Sequence, residues 1–148
     1  MKVVVQRVSY ATLKSGDYTS SIGFGLLVLV GVSKNDTIND VEFLAKKITT
    51  LRIFDDEFDK CNLSIQDVDG EIMVVSNFTL QGRLPKGTRP DFMKAGNREQ
   101  ALDLYEKLIA EIKKYNIKKV EKGSFGNHMD IDVSLNGPYT FELESEGR

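Results

Sequence analysis

The segment Ser76-Asn77-Phe78-Thr79-Leu80 brings two hydroxyls and an amide together at the end of an apolar run, directly before a glycine-rich stretch. Polar side chains at a strand end can line a site, and exposed backbone N–H groups there can stabilise an oxyanion. An ordinary strand end explains the same residues equally simply, and it is the commoner explanation of so short a motif. No base adjoins Thr79 in the sequence, so a catalytic triad cannot be identified from this segment.

A second unusual segment, Leu135-Asn136-Gly137-Pro138-Tyr139-Thr140, joins two apolar strand patterns. Proline supplies no N–H to a β-ladder, so the Gly137-Pro138 step requires a turn, an edge or a bulge. Only about 5–6% of X-Pro bonds in folded proteins are cis, and a plain hairpin turn is therefore the default prediction.

The chain has one histidine and one cysteine, which argues against a metal centre, because zinc would have to rely mostly on carboxylates. His128 has no partner at ligand spacing and is predicted to be a structural or surface residue. Cys61 lies in a mainly acidic stretch, and negative charges disfavour the thiolate form that attacks, so it is not predicted to be a nucleophile. The sequence therefore predicts no metal, no cofactor and no internal disulfide.

Basic residues are concentrated between residues 81 and 98, although the formal net charge of the chain is −2. Asp91 is the only acidic residue among the five cations, which are Arg83, Lys86, Arg89, Lys94 and Arg98. Phe92 lies among them, a pattern that tolerates base stacking. A polyanion such as RNA could approach this face, and a solvated surface loop explains the charges about as well.

Length and composition indicate one globular domain spanning residues 1–148, because 41% of residues are hydrophobic and 28% are charged. No apolar run approaches the ~20 residues of a membrane span, and the chain begins with a strand pattern instead of a signal peptide. We therefore expect a cytoplasmic protein without a membrane partner.

Strands must position both motifs, and β-branched or continuously apolar runs predict where they lie. The predicted strands are 3–8, 25–32, 52–54, 71–80, a stretch around Val120, 129–135 and 139–143, with a hairpin over 10–20 turning at Gly16-Asp17. The residues 81–96 hold three glycines and two prolines and are predicted to be a loop.

Two helices complete the prediction. Asp36 or Thr37 caps the first, whose apolar stripe is Val41, Leu44, Ile48 and Leu51. Asn97 and Gln100 form a capping box that opens the second, whose apolar face is Leu104, Leu108, Ile112 and Tyr115, with Asp103 and Lys107 as a supporting pair. The fold class predicted is α/β, a single mixed, strand-rich domain with two main helices.

The order and spacing of several short segments resemble the D-aminoacyl-tRNA deacylases, and the resemblance runs essentially end to end. The segments are 5–8, 25–32, 51–54, 70–76, 86–92, 125–129 and 137–140. The resemblance implies barrel-like sheets and hydrolysis of the ester bond of D-aminoacyl-tRNA, and of mischarged Gly-tRNA, as a proofreading step.

The family's first motif is Ser-Gln-Phe-Thr-Leu, which here is Ser76-Asn77-Phe78-Thr79-Leu80. The resemblance implies that no side-chain base is essential and that the terminal ribose 2′-OH assists attack by water. Backbone N–H groups near Asn77 and Phe78 would stabilise the oxyanion, and Thr79 would lie in the pocket. Ser76 to Thr79 are therefore the candidate catalytic residues.

The family's second motif contains a cis Gly-Pro step, here Gly137-Pro138, which projects into the active site of the other subunit of a homodimer. Its carbonyls face the α-amino group, so that an L side chain strikes the protein and a D side chain points out. Arg7 supports this loop in the family. The resemblance therefore implies a homodimer in which Gly137, Pro138 and Arg7 select chirality.

Aminoacyl-tRNA is the implied partner. Phe125 and Met129, together with Phe92, would pack against the terminal adenosine, and Arg83, Lys86 and Arg89 would hold phosphates.

Leu135 and Tyr139 depart from the second motif, where the family has Asn and Val. They match in part an animal paralogue in which the Gly-Pro bond is trans and small L-amino acids such as alanine are removed from tRNA. Two alternatives therefore stand beside D-specific hydrolysis: a relaxed-chirality deacylase, and a non-catalytic RNA-binding module.

Overall fold

A computed structural model describes residues 1–146. Within that range the chain forms eight strands, two α-helices and one 3-10 turn. The strands are β1 (Lys2–Ser15), β2 (Tyr18–Ile22), β3 (Gly25–Gly31), β4 (Phe54–Asp55), β5 (Cys61–Leu63), β6 (Glu71–Ser76), β7 (Lys119–Lys122) and β8 (Asp130–Glu144). The helices are α1 (Ile38–Thr50) and α2 (Arg98–Lys113), and the 3-10 turn is Phe78–Gln81. The predicted mixed, strand-rich α/β class with two helices is confirmed.

The long strand β1 organises the sheet, because it is paired along both of its edges. On one edge its first half pairs antiparallel with β3 and its second half with β2, and the hairpin turn predicted at Gly16-Asp17 is confirmed. On the other edge β8 runs antiparallel along nearly the whole of β1.

Parallel pairing extends the sheet from β3 to β6 and then to β7. The edge strand β7 also contacts β2, since the Tyr18 hydroxyl donates to the Lys122 carbonyl at 2.6 Å and Lys119 Nζ donates to the Ser21 carbonyl at 2.8 Å. These bonds curl the sheet into a barrel-like form. The continuously apolar β3 is buried on both faces, as the sequence predicts.

Both helices begin at the predicted caps. Thr37 caps α1 in a capping box with Asp40, and Asn97 accepts from the N–H of Gln100 at the start of α2. The reciprocal half of the predicted second capping box is wrong: Gln100 Nε2 donates instead to the carbonyl of Lys34 at 3.0 Å. That bond ties α2 to the loop after β3. Neither helix of residues 1–146 is long and apolar enough to cross a membrane.

The sheet separates two clusters of buried apolar side chains. The larger joins both helices to one face and includes Val3, Val5, Leu44, Leu108 and Ile72. The smaller lies on the other face and includes Val8, Leu13, Leu27, Met73 and Val75. β1 serves both clusters because its pairing with β8 shifts register on either side of Val8. One extra residue inverts the alternation of side chains between the faces.

Two predicted strand bounds are wrong. The residues 52–54 contribute only Phe54 to a strand, β4. The predicted strand 71–80 ends at Ser76, and the residues after Asn77 form the 3-10 turn. This turn packs against Gly31, where a Cβ would lie 2.8 Å from that of Leu80. The Gln81 side chain fixes it by donating to the Gly31 carbonyl at 2.8 Å.

The default prediction of a hairpin turn at Gly137-Pro138 is also wrong. The segments on both sides of this step pair with the same strand, β1, and run in the same direction, so they form one strand, β8. The Gly-Pro step lies in the gap between Leu135, which pairs with Val8, and Thr140, which pairs with Gln6. Proline is accommodated because this part of the ladder is irregular.

Candidate functional site

A cavity of roughly 770 Å³ opens at the carboxyl ends of the parallel strands β3 and β6. Three parts of the chain line it: Ser76–Thr79, Phe125–Met129, and the beginning of α2 with Arg98 and Tyr105. Apolar side chains that include Leu29, Val75 and Ile131 form its floor. The volume is in the range of small-molecule sites, which are commonly 300–1,000 Å³. The fold thus brings together the first motif and a segment almost fifty residues further along the chain.

Backbone N–H groups are available in the first motif, but not at every residue. The Asn77 N–H donates to the Val30 carbonyl at 2.7 Å and so continues the ladder between β3 and β6. The N–H groups of Phe78 and Thr79 form no hydrogen bond within residues 1–146. They stand at the start of the 3-10 turn, whose first amides have no partner in the turn itself. Of the motif's amides, these two are suited to an oxyanion.

The Thr79 hydroxyl is engaged by an amide, not by a base. Its Oγ1 donates to Asn77 Oδ1 at 2.5 Å. A neutral amide oxygen cannot accept the proton of an attacking hydroxyl, and activation of a nucleophile needs a base within hydrogen-bond reach. The geometry therefore gives Thr79 an orienting position in the cavity wall without the means to become a strong nucleophile.

Phe125 forms a second wall of the cavity. Its ring lies 5.7 Å from that of Tyr105 and 5.5 Å from the guanidinium carbon of Arg98, measured between centroids and from centroid to Cζ. The Tyr105 hydroxyl donates to the Val74 carbonyl at 2.7 Å, and burial raises its pKa far above the usual range. Tyr105 is thus a neutral, fixed support beneath Phe125.

Met129 lies at the other end of the cavity-lining segment that begins with Phe125. Its sulfur accepts from the Ser124 N–H at 3.3 Å. A Cβ on Gly123 would lie 2.7 Å from that sulfur, so glycine permits the close approach. His128 is exposed at the cavity rim and contacts Asp130 at 3.1 Å. The prediction that it is a surface histidine is confirmed.

In the basic loop of residues 81–96, Arg83, Lys86, Arg89 and Phe92 lie outside the cavity, although Ala95 and Gly96 line it. Arg83 forms an ion pair with Asp91 at 3.2 Å, and the Met93 N–H together with this guanidinium lowers the pKa of Asp91. Lys86 and Arg89 are exposed. Phe92 does not line the cavity; its ring packs edge-on against Phe78 at 5.0 Å, and so joins the basic loop to the first motif.

The second motif also lies apart from the cavity of its own chain. Among the cavity-lining residues of the described range, neither Gly137 nor Pro138 occurs. The Gly137-Pro138 peptide is cis, as the resemblance implies, and Gly137 has φ +127°. A Cβ on Gly137 would meet the ring of Tyr139 at 2.3 Å, so only glycine fits between this ring and the backbone.

The Arg7 side chain binds the backbone of the second motif. Its guanidinium donates to the carbonyls of Asn136 at 3.0 Å and Ile53 at 2.8 Å, and it pairs with Asp55 at 3.4 Å. The guanidinium carbon lies 4.0 Å from the centroid of the Tyr139 ring. Arg7 is almost fully buried, with 5% of its surface exposed. The rigid fork of arginine can serve these partners together, which the single ammonium of lysine cannot.

Loss of the Arg7 guanidinium should destabilise the fold. We expect Arg7→Met to lower the free energy of unfolding by about 2–4 kcal/mol, because the buried carbonyl of Ile53 and the partly buried carbonyl of Asn136 lose a charged donor. Urea denaturation followed by circular dichroism measures it. Arg52→Met removes an exposed arginine that bonds Asn62 and should change the midpoint far less. Equal shifts for both variants would contradict the assigned role of Arg7.

Sequence reasoning missed Tyr105 and assigned no separate role to Arg98. A signal for Tyr105 was present, since it adjoins Leu104 on the apolar face of α2 and a tyrosine there must find an acceptor. For Arg98 the sequence holds no such signal, because its contacts are with residues about thirty positions away.

Comparison with known proteins gives consistent matches. The family model described as D-Tyr-tRNA(Tyr) deacylase matches residues 4–144. The chain is 47% identical to a D-aminoacyl-tRNA deacylase of Clostridium botulinum over 98% of this chain and 97% of that one. It is 46% identical to a D-aminoacyl-tRNA deacylase of Bacillus licheniformis over 99% of each.

Two solved structures share the fold. The c-Myc DNA Unwinding Element Binding Protein superposes with a TM-score of 0.93 at 41% identity, covering 99% of this chain and 100% of that one. A probable eukaryotic D-amino acid tRNA deacylase superposes with a TM-score of 0.85 over 97% and 98% of the two chains. At 15% identity, the second likeness concerns the fold alone.

Proposed function

Because this chain belongs to the D-Tyr-tRNA(Tyr) deacylase family, we propose that it hydrolyses the ester bond of D-aminoacyl-tRNA and releases free amino acid and tRNA. The observation that carries the proposal is the cavity at the end of β6, which the first motif of the family lines. Two unengaged backbone N–H groups, those of Phe78 and Thr79, lie beside a cavity that is large enough to hold a nucleoside with an aminoacyl group. A site of this kind stabilises the oxyanion of acyl transfer.

The reaction proceeds by attack of water on the ester carbonyl, assisted by the neighbouring 2′-hydroxyl of the terminal ribose. An aminoacyl ester is already activated, so orientation and oxyanion stabilisation suffice. The N–H groups of Phe78 and Thr79 receive the developing negative charge, and the Thr79 side chain orients the bound ester or the water. Ser76 and Asn77 fix the geometry of this strand end. The chemistry requires no cofactor and no metal.

The substrate's terminal adenosine packs against Phe125 and Met129 in this proposal. Phe92 does not line the cavity; it packs against the ring of Phe78 and so supports the first motif. Phosphates further along the tRNA are held by the exposed side chains of Lys86 and Arg89. Arg83 contributes less, because its charge is already paired with Asp91. Affinity for tRNA should therefore fall with added salt.

We propose that the active form is a homodimer. The cavity and the Gly137-Pro138 step of one chain are separate, so this step can select the substrate only in the site of a second copy. In addition, β8 is an edge strand of 15 residues, and on it and the neighbouring β1 three large apolar side chains are exposed: Tyr10, Leu135 and Phe141. Long edge strands with exposed apolar groups are prone to associate.

Sedimentation velocity at micromolar concentration is expected to give the mass of two chains. Phe141→Glu should shift the distribution toward the monomer and lower the activity in parallel, because a carboxylate is costly to bury in an interface. Phe58→Glu, an exposed apolar residue on the loop between β4 and β5, is the matched control and should stay dimeric. A fully active monomeric wild type would contradict the shared site.

We further propose that Gly-tRNA is a substrate, since glycine has no side chain to be rejected, and that the protein acts in the cytoplasm. Relaxed hydrolysis of small L-amino acids is less well supported. Tyr139 is one of the two departures from the family motif. Its ring packs against the Arg7 guanidinium and Gly137, so it fills the space beside the Gly-Pro step and does not make room for an L side chain.

In the decisive experiment, the purified protein is incubated with D-Tyr-tRNA in the presence of EDTA, and the released tyrosine is measured. Rapid release supports the proposal, and no release by a folded protein rejects it. The solved relative named c-Myc DNA Unwinding Element Binding Protein makes nucleic-acid binding without catalysis the second candidate. That candidate predicts retention of tRNA without release of the amino acid.

A further inference from the structure

Arg98 stands at the cavity wall with an unneutralised charge. It is the first residue of α2 and the only lysine or arginine of residues 1–146 that lines the cavity. Its guanidinium lies over the Phe125 ring. Within the described part of the chain it forms no ion pair and no side-chain hydrogen bond. A guanidinium with free donors beside a cavity favours an anionic ligand, above all a phosphate or a carboxylate.

Gly126 fixes the orientation of this guanidinium. Gly126 has φ +77°, and a Cβ there would lie 2.3 Å from Nη1 of Arg98. The guanidinium therefore occupies the space that a side chain at position 126 would fill. Contact with the Gly126 backbone on one side and the Phe125 ring on the other reduces the freedom of a long side chain. Less entropy is then lost when its N–H groups bind a ligand.

We propose that Arg98 is a substrate-positioning residue that binds the phosphodiester on the 5′ side of the terminal nucleoside of aminoacyl-tRNA. The inference rests on the proposed function. When the ester carbonyl lies at the N–H groups of Phe78 and Thr79, the adenosine fills the remainder of the cavity. The first anion of the substrate, the phosphate on the same ribose, then reaches the cavity wall, where Arg98 supplies the free cation.

The position of Arg98 separates it from the cations of the basic loop. Lys86 and Arg89 lie outside the cavity, so they can meet only phosphates further along the tRNA. Arg83 is paired with Asp91. Of these four cations, Arg98 alone contacts Phe125, which is proposed to hold the terminal nucleoside, and it can therefore couple phosphate binding to the placement of the ester.

Comparison of two substrates tests this role. One is D-Tyr-tRNA, and the other is 3′-O-D-tyrosyl-adenosine, which has the same ester but no phosphate. Arg98→Met keeps a stem that can pack on Phe125 and removes the charge. We expect it to lower kcat/KM for D-Tyr-tRNA about tenfold or more, mainly through KM, and to leave the nucleoside ester unaffected. A plot of log(kcat/KM) against the logarithm of the salt concentration should become shallower by about one unit of slope, because one phosphate contact is lost.

Two further variants sharpen the comparison. Lys113→Met removes a positive charge from the other end of α2, ~22 Å away along the helix, and should leave both substrates unaffected. Gly126→Ala displaces the guanidinium, so it should reproduce the loss on D-Tyr-tRNA and add little in the Arg98→Met background. The proposed phosphate contact would be contradicted if Arg98→Met lowered kcat/KM equally for both substrates, or if it left kcat/KM for D-Tyr-tRNA unchanged.

Binding of uncharged tRNA separates this inference from the proposed function. Uncharged tRNA retains the phosphate and lacks the ester, so its Kd reports the contact whether or not the protein is a deacylase. We expect Arg98→Met to raise this Kd about tenfold at low salt, with Lys113→Met as the reference. Hydrolysis absent in the wild type would reject the proposed function alone, whereas an unchanged Kd would reject the role of Arg98.

Discussion

Replacing the 2′-hydroxyl of the terminal ribose by hydrogen is expected to slow hydrolysis of D-Tyr-tRNA by a factor of roughly 10²–10⁴, the usual contribution of a positioned proton-transfer group. The reason is that, within residues 1–146, no side-chain base contacts Thr79, and His128 lies at the exposed rim of the cavity. The Thr79 hydroxyl donates to Asn77, and the only histidine is exposed and contacts Asp130. The substrate must then supply the group that assists water.

Thr79→Ala is the paired measurement, and it should lower kcat by no more than about tenfold, because an orienting hydroxyl contributes roughly one hydrogen bond. Single-turnover rates of the wild type and the variant, each with the ribose and 2′-deoxyribose substrates, give the comparison. A loss of several orders of magnitude in Thr79→Ala, with the fold unchanged, would instead make Thr79 a nucleophile.

D-Tyr-tRNA is expected to be hydrolysed at least roughly a hundredfold faster than L-Tyr-tRNA, since a side chain forced against a rigid backbone costs about 3 kcal/mol. The rigidity has a visible source: Arg7 bonds the Asn136 carbonyl, and Tyr139 packs between Arg7 and Gly137. Backbone held in this way cannot yield as a flexible side chain would. Gly-tRNA should be cleaved as well, because it presents no side chain.

L-Ala-tRNA provides the critical comparison, since relaxed deacylation would cleave it as fast as D-Tyr-tRNA. The double variant Leu135→Asn, Tyr139→Val restores the residues of the family motif and serves as the control. It should retain the preference of the wild type if these departures leave chirality intact. Cleavage of L-Ala-tRNA by the wild type, lost in the double variant, would establish relaxed specificity and trace it to the two substitutions.

Much of the fold follows from local sequence. Thr37, one of the two caps predicted for α1, the cap at Asn97 and the buried strand β3 are confirmed. Each depends on residues within a few positions, where hydrogen bonds and apolar periodicity are encoded directly. The 3-10 turn after Ser76 was not predicted, because it depends on Gly31 and Gln81 meeting across the sheet.

For the candidate site too, some features could be predicted from the sequence and others depend on the fold. The motif Ser76–Thr79 could be identified in the sequence, since hydroxyls and an amide interrupt an apolar strand. Which of its amides are available could not be predicted, because the Asn77 N–H is engaged by Val30 of a different strand. Local composition therefore indicated a candidate segment, and strand pairing decided which of its backbone amides are free of hydrogen bonds.

The sequence alone determined the α/β class, the helix starts, the burial of β3 and the position of the two motifs, because neighbouring residues specify these features. Only the tertiary structure decided that β8 is one strand, that Arg7 also bonds the Ile53 carbonyl and that Arg98 lies against Gly126. A contact of that kind has no local signature. It exists because strand register and helix packing bring distant residues to within a few ångströms, and the cavity is formed by such contacts.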